Sequence, residues 1–597
     1  MMPRYSMLPL LFGIALLVSS AALAQAEHKI YNFNVSWVNN VNPDGRHPRR
    51  SIGVNGKFLL PIINVNSTDR VTVKVHNQFK HRRTALHVHG LYFNNTGYYD
   101  GAAQIGQCPV PPGDTFEHKV LNAPETPKEA PRQTGTYWAH GHLGGQYVDG
   151  YRTPFIIHNA EGEPHKYDDE YTVIVSDWYH REHADLLKND YLNPKKLDSR
   201  DPVPDSPLVW AAHTPCKGEA KYLDGFNNNV SLKFEPGKTY RLRFINMAAF
   251  SPFYIWMEGH DMRMIEADGI DMHELPIKEF SISAGQRYSV LVTARNCTDR
   301  NWQLHTNMDP RMYRKVPKSL QLNVSTTIEY AKHAKVAHDR PTLDKYKVFD
   351  DTQLEPIKEM PAHRVDINHD IDVWFARFSD GKQYAVLNNI TYRPPLVPTL
   401  LTAATTPQEL RNKPETYGPN SNAMILPHMK GVQLRIINRE LGYHPFHLHG
   451  MHFQVVYKDD GRLSKHTQYP RRSTHKRLRN PVRRDTVTVP PMGSAIIRVF
   501  TDNPGAWIFH CHNDWHLNAG MALAVVVAPD EIAKRQHIPK FLKKQCRISE
   551  GHASGNAAGL NSSKHFGSLS FSAHPHPTEF GHPTTTISSQ KHTKTVS

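Results

Sequence analysis

The chain has 597 residues, of which 39% are hydrophobic and 10% aromatic; this is the composition of a folded soluble protein, and the length suits three or four domains. Lys and Arg number 71 against 56 Asp and Glu, for a net charge of +15, with a basic concentration at Arg471, Arg472, His475, Lys476, Arg477, Arg479, Arg483 and Arg484. In a secreted chain we read that stretch as a solvated basic loop rather than a nucleic-acid surface.

Secretion is read from the start of the chain. Met1 to Ala24 combines Arg4, an apolar run from Leu8 to Val18 and small residues up to Ala24. This is a signal peptide over 1–24, too short in its apolar run to span a membrane comfortably. No later run approaches spanning length, so the mature protein is expected to be secreted or held at a cell wall, without a membrane span, and monomeric. Asn-x-Ser/Thr sequons at Asn34, Asn66, Asn94, Asn229, Asn296, Asn323, Asn389 and Asn561 agree with that route.

Beyond the leader, alternating strands bounded by Gly, Pro, Asn and Asp dominate. One pattern occurs three times: Val71–Asn77, Tyr240–Asn246 and Val432–Asn438 are alternating strands that end in Asn. A turn and a further apolar strand follow each, at Pro111-Pro112-Gly113, Ala284-Gly285 and Pro491-Met492-Gly493. Three similar β-sandwiches are therefore expected, over 27–160, 161–335 and 336–546. Helices are few and short, as at Thr406–Asn412. From 547 to 597 the chain turns to Ser, Thr, His, Gly and Pro and is expected to be disordered.

Histidine clusters follow the repeat. The first unit carries His87-Val88-His89-Gly90 and His140-Gly141-His142. The third carries His444-Pro445-Phe446-His447-Leu448-His449-Gly450 and His510-Cys511-His512, followed by His516 and Met521. The second unit has both markers and neither cluster, so it spaces the other two. Histidines two apart on a strand share a face, and two such pairs from two domains can close around a shared metal cluster. Cys511 with His444 and His516 makes a His2Cys set, and Met521 can supply a weak axial thioether, which is the blue-copper pattern. Zinc, which favours four ligands and paired cysteines, is a poor match.

His510 and His512 flank Cys511 and face the other way. With His87, His89, His140, His142, His447 and His449 they give eight imidazoles, enough for three coppers with positions open to dioxygen. Electrons accepted at Cys511 can then reduce dioxygen to water. Asp100 and Asp514 are the candidate proton relays. A secreted copper-binding protein without turnover is the contrary reading. Cys108, Cys216, Cys297 and Cys546 remain for two disulfides, with three possible connectivities.

These motifs resemble those of the multicopper oxidases, and the resemblance runs from about residue 30 to 545. It implies three cupredoxin-like Greek-key domains and four coppers. His87 and His447 would bind type 2 copper. His89, His140, His142, His449, His510 and His512 would bind the type 3 pair, and His444, Cys511, His516 and Met521 type 1. It also implies a Cys108–Cys216 disulfide. Arg49-Arg50-x-x-Gly53-Val54-Asn55-Gly56 and Tyr417-Gly418-Pro419-Asn420 look fungal, similar to the branch of iron oxidases and conidial-pigment oxidases. Ferroxidases of that branch hold Fe(II) with three carboxylates. Here Asp177 and Glu440 stand at two of those positions and Arg314 at the third. Arg314 would repel Fe(II), so a laccase-like oxidation of phenols or naphthols is the first expectation and ferroxidase activity the alternative.

Overall fold

A computed structural model describes residues 26–121, 132–195, 201–296, 298–337, 343, 346–459 and 478–566. The signal peptide, Cys297, most of the basic stretch and the chain beyond residue 566 lie outside the described residues. The fold is all-β, with sheets of four and four strands, then seven and six, then six and five. They make three consecutive β-sandwiches, drawn from residues 28–158, 169–336 and 367–527.

The repeat seen in the sequence is a repeat of construction. Each marker strand runs parallel to the first strand of its domain: Arg70–Asn77 beside His28–Val41, Thr239–Asn246 beside Asp169–Trp178, and Gly431–Asn438 beside Ile367–Arg377. Each also pairs antiparallel with a later strand, Thr115–Leu121, Arg287–Thr293 or Ser494–Phe500. Val71, Val73 and Val75, then Leu242 and Phe244, then Val432, Leu434 and Ile436 turn into the cores. Each such burial is worth about 1.5–3 kcal/mol.

The terminal asparagines explain themselves. Asn77 Oδ1 accepts from the Phe79 amide, while its Nδ2 donates to the carbonyls of Arg82 and Val110. Asn246 makes the same three bonds with Ala248, Ser251 and Ile282. Asn438 makes them with Glu440, Gly442 and Pro490. A buried turn cannot leave its backbone unpaired, and one amide side chain supplies the partners.

Alternation breaks down in the second domain, where Thr239–Asn246 is buried on both faces. Its Arg241 and Arg243 are covered because they pair with Glu163, Glu170 and Glu266, and Glu266 in turn accepts from the Thr136 amide of the first domain. The spacer domain is thereby keyed to its neighbour by buried hydrogen bonds from Thr136 to a carboxylate that the arginines hold in place.

Three expectations need correction. The disulfide is Cys108–Cys546, while Cys216 is a free, exposed thiol. The pairing brings the helix Lys540–Glu550 against the first domain, where Gln545 Nε2 also donates to the Cys108 carbonyl. Residues 547–566 are packed, not a loose tail: Ala557 is buried, and its amide donates to the Thr416 carbonyl. Arg483 and Arg484 are buried rather than solvated, and Arg484 pairs with Asp268 and Asp351.

Candidate metal centre

The two halves of the histidine cluster are built alike. Strand Leu86–His89 pairs antiparallel with Gly135–Gly141 so that His87 stands opposite His140. Strand His444–Leu448 pairs with Gly505–Cys511 so that His447 stands opposite His510. The domains then interleave: the His87 ring stacks on His449 at 3.8 Å, and His89 stacks on His447 at 3.7 Å. All eight imidazoles meet at this interface; His87, His447 and His449, and likewise His142, His449 and His510, hold ligand nitrogens within 4.8 Å of one another. His512 sits a little further out, its ring 5.0 Å from His89 and 5.4 Å from His140.

The outward nitrogens are fixed by hydrogen bonds. His87 Nδ1 donates to the Asp100 carbonyl at 2.7 Å, His447 Nδ1 to the Asp485 carbonyl at 2.9 Å, and His510 Nδ1 to the Cys511 carbonyl at 2.9 Å. Such second partners set the tautomer and leave the other ring nitrogen as a lone pair. His87 Nε2, His89 Nδ1, His140 Nε2, His142 Nε2, His447 Nε2 and His512 Nε2 are buried with no hydrogen-bond partner, and His449 Nε2 faces His510 Nε2 at 3.3 Å. Burial first, and then the charge of neighbouring histidines, push His89, His140, His449, His510 and His512 well below the ordinary imidazole value, and His142 to about 3. A cluster of neutral imidazoles with lone pairs converging in a dry space fits soft or borderline divalent metal, and copper among them.

Two carboxylates hold the cluster, Asp100 and Asp485; the sequence reading names the first of them as a proton relay. Asp100 Oδ2 accepts from His449 Nδ1 at 2.8 Å. Gly101, at φ +92°, lets this turn press onto the backbone of Leu86 and His87, where a Cβ would clash. Asp485, which the sequence reading missed, contacts His89 Nε2 at 3.0 Å and takes both terminal nitrogens of Arg287 at 2.7 Å. Burial opposes its charge, but the Arg287 guanidinium holds Asp485 well below the usual carboxylate range. Its signal was an acid among arginines leading the apolar strand Thr486–Val489. Gly90, at φ +95°, leaves room for this pair: a Cβ there would stand 2.7 Å from Asp485 Oδ2 and 2.8 Å from Arg287 Nη2.

A cavity of about 190 Å³ reaches the cluster, lined by His140, His142, His510, His512 and Asp514 among others. Asp514 Oδ2 lies 2.6 Å from Nε2 of the buried His183 and accepts from Asn518. Asp514 thus lines the same cavity as four of the cluster histidines.

Cys511 lies on the same strand, facing the other way. Its Sγ is 3.4 Å from His516 Nδ1 and 3.6 Å from His444 Nδ1. Met521 is buried beside them; its carbonyl accepts from the Cys511 amide and its amide donates to the His516 carbonyl. His516 turns Nε2 outward, 3.2 Å from Asp201 Oδ1. Though burial disfavours the charged ring, Asp201 and Cys511 raise His516 to about 10 in the metal-free chain.

Of the expected substrate carboxylates, Glu440 is mostly buried near His516 and accepts from the Phe375 amide at 2.9 Å. Asp177 does a different job. It is 2% exposed, and its carboxylate accepts from the amides of Ala249, Phe250 and Ser251 and from the Ser251 hydroxyl. Those bonds use up its oxygens and hold the turn that sets Phe250 against His516. Arg314 is exposed.

Three interlocked cupredoxin-like domains, with histidine pairs from the first and third and one cysteine between two of the histidines, define a copper oxidoreductase that uses dioxygen. Residues 35–162, 169–333 and 392–531 match three models of the multicopper oxidases, and the chain belongs to that family. It is 46% identical over 562 residues to the iron multicopper oxidase fer1 of Mycosarcoma maydis, covering 93% of this chain and 88% of that one. It is 37% identical to the iron transport multicopper oxidase fio1 of Schizosaccharomyces pombe, over 92% and 83% of the two chains. The solved structure of Fet3p, a multicopper oxidase that functions in iron import, superposes with a TM-score of 0.79 at 31% identity, over 90% of this chain and 97% of that one. Among the described residues no helix is long and apolar enough to cross a membrane.

Proposed function

We propose that the chain is a ferroxidase, taking electrons one at a time from Fe(II) beside His516 and using them to reduce dioxygen to water. The observation that carries this is the extended likeness to proteins named as an iron multicopper oxidase and an iron transport multicopper oxidase, 46% and 37% identical across more than nine-tenths of the chain. It reverses the order suggested by Arg314. Bound copper supplies one-electron acceptance at the cysteine site and four-electron dioxygen reduction at the histidine cluster. His444, Cys511, His516 and Met521 hold type 1 copper; His87 and His447 hold type 2; His89, His140, His142, His449, His510 and His512 hold the type 3 pair, for four coppers in all.

The chain's own residues supply the rest. Cys511 joins the two sites through its bonds to His510 and His512, so an electron arriving at the sulfur leaves along the backbone to either ring. Asp514, at the cavity, and Asp100, under His87 and His449, carry protons to the reduced oxygen. The phenol reading keeps one support: the buried Asp177 and the exposed Arg314 leave only Glu440 of the three carboxylate positions free to face a cation.

The test is oxygen uptake by the copper-loaded protein with Fe(II) and, separately, with a dihydroxynaphthalene. Efficient uptake with Fe(II) and feeble uptake with the naphthol is the expected result. The reverse makes the chain a laccase-like pigment oxidase.

A further inference from the structure

The second domain carries no histidine pair, yet it sets one buried histidine against the cavity that reaches the cluster. His183 opens the short helix His183–Leu186. Its Nε2 lies 2.6 Å from Asp514 Oδ2, with the two side chains 1% and 3% exposed. All three domains meet here, because Gly144 and Gly145 of the first line the same cavity as Asp514 of the third.

Several contacts fix the ring. The His183 amide donates to Asp149 Oδ1 at 3.0 Å, and Asp149 is itself paired with Arg49 at 3.1 Å. The ring stacks on Trp515 with 4.7 Å between centroids and 11° between planes. Gly145, at φ +68°, lies so close that a Cβ there would stand 2.2 Å from His183 Nδ1. Burial opposes charge on the ring, but Asp514 and then Asp149 raise it above the ordinary imidazole value, which favours an imidazolium facing a carboxylate.

Nδ1, by contrast, is buried with no hydrogen-bond partner. Packing gives no reason for that, since an apolar ring would fill the slot over Trp515 and leave no polar atom unpaired. What the imidazole adds over such a ring is Nε2 against Asp514. Asn518 Nδ2 donates to the same Oδ2 at 2.8 Å, so both contacts fall on one oxygen and neither uses Oδ1. A proton-transferring group must be held within reach of the atom it serves, and partners on its far oxygen hold it.

We propose that His183 is a positioning residue for dioxygen reduction: its ion pair to Oδ2 fixes the Asp514 carboxylate so that Oδ1 serves the cavity beside His140, His142, His510 and His512. The inference rests on the reading of Asp514 as a proton relay. Each dioxygen takes four electrons and four protons to give two waters. Asp514 passes on protons that it regains from solvent in the cavity, while His183 keeps its own. The second domain is then more than a spacer, because it holds the relay in place.

The experiment compares wild type with His183→Phe, His183→Gln and Asp514→Asn as copper-loaded full chains. Phe keeps a ring on Trp515 and has no donor; Gln restores a donor without the ring. Stopped flow reads two half-reactions. Anaerobic bleaching of the blue band by hydroquinone reports electron entry alone, and reoxidation of the fully reduced protein by dioxygen also needs protons. We expect His183→Phe to keep its copper and blue band, to bleach within about twofold of wild type, and to reoxidise ~10–100-fold more slowly. His183→Gln should recover part of that loss. Where His183→Phe does not fold, His183→Asn takes its place, its amide too short to reach Asp514.

Reoxidation at the wild-type rate in the donor-free variant, with Asp514→Asn slow, overturns the assignment. Equal slowing of both half-reactions, or loss of the blue band, makes His183 structural and overturns it as well. An Asp514→Asn variant that reoxidises as fast as wild type removes the relay reading itself, whatever the His183 variants do.

Discussion

Asp100 and Asp485 do the same work from opposite sides of the histidine cluster. Each uses its main-chain carbonyl on a histidine of its own domain, His87 or His447, and its carboxylate on a histidine of the other, His449 or His89. The interface between the first and third domains is thus tied twice, once by each acid, and every tie fixes a ring that carries a ligand nitrogen.

Only Asp485 is also paired to the spacer domain, through Arg287. Asp485→Asn leaves that buried guanidinium only its longer contact with Asp268, at 3.6 Å, a loss of up to about 3–5 kcal/mol. Asp100→Asn removes no ion pair of that kind and should cost less. Thermal unfolding and copper content of the two variants check this: Asp485→Asn should melt several degrees lower and load less copper, and equal melting would refute the distinction.

Cys511→Ser removes the thiolate between His510 and His512. The variant should lose its blue colour and its substrate oxidation together, while the eight-histidine cluster still loads metal. Absorption, copper analysis and oxygen uptake read all three. Retained oxidation of either substrate sinks the electron path.

The helix carrying Cys546 is pinned to the first domain across 438 residues of sequence. Cys546→Ser should lower stability by roughly 2–5 kcal/mol, whereas Cys216→Ser should leave it unchanged. Peptide mapping without reduction should recover the Cys108–Cys546 pair, and Cys216 should react with a thiol reagent in the folded protein.

The metal-free protein should weaken as pH falls. His142, at about 3 in the folded chain, and His140, His449, His510 and His512, also well below the ordinary value, stay neutral when folded but take protons when unfolded. Their depressed values contribute nothing adverse above about pH 6.5; below it the unfolded state binds more protons, at about 1.4 kcal/mol per pH unit for each histidine. His516, raised to about 10, works oppositely: its contribution is full below about pH 6.5 and fades as pH rises through 10. Calorimetry of the metal-free chain should show a melting point that drops steadily from pH 7 to pH 4.5. A flat profile would mean the cluster is already open or protonated.

Much of this molecule is written locally. The alternation of Val71, Val73 and Val75 and the closing Asn77 specify a strand and its corner, because a strand's side-chain period and a turn's unpaired amides are set by adjacent residues. The same short pattern at Asn246 and Asn438 announces three domains, and the spacing of the histidines announces a metal centre with one cysteine in it. Chemistry held within a few residues of one strand is legible because the strand itself fixes its geometry.

What the sequence could not determine lies between segments far apart in it. Asp485 meets His89 across 396 residues, Cys108 meets Cys546 across 438, and Asp201 meets His516 only when the second and third domains close. Asp177 reads as one of the carboxylates that would hold Fe(II) and is instead sealed under the Ala249–Ser251 turn. No local pattern encodes these contacts. Burial and the pairing of buried charge are decided by which faces the domains present to one another, and that is a property of the packed structure alone.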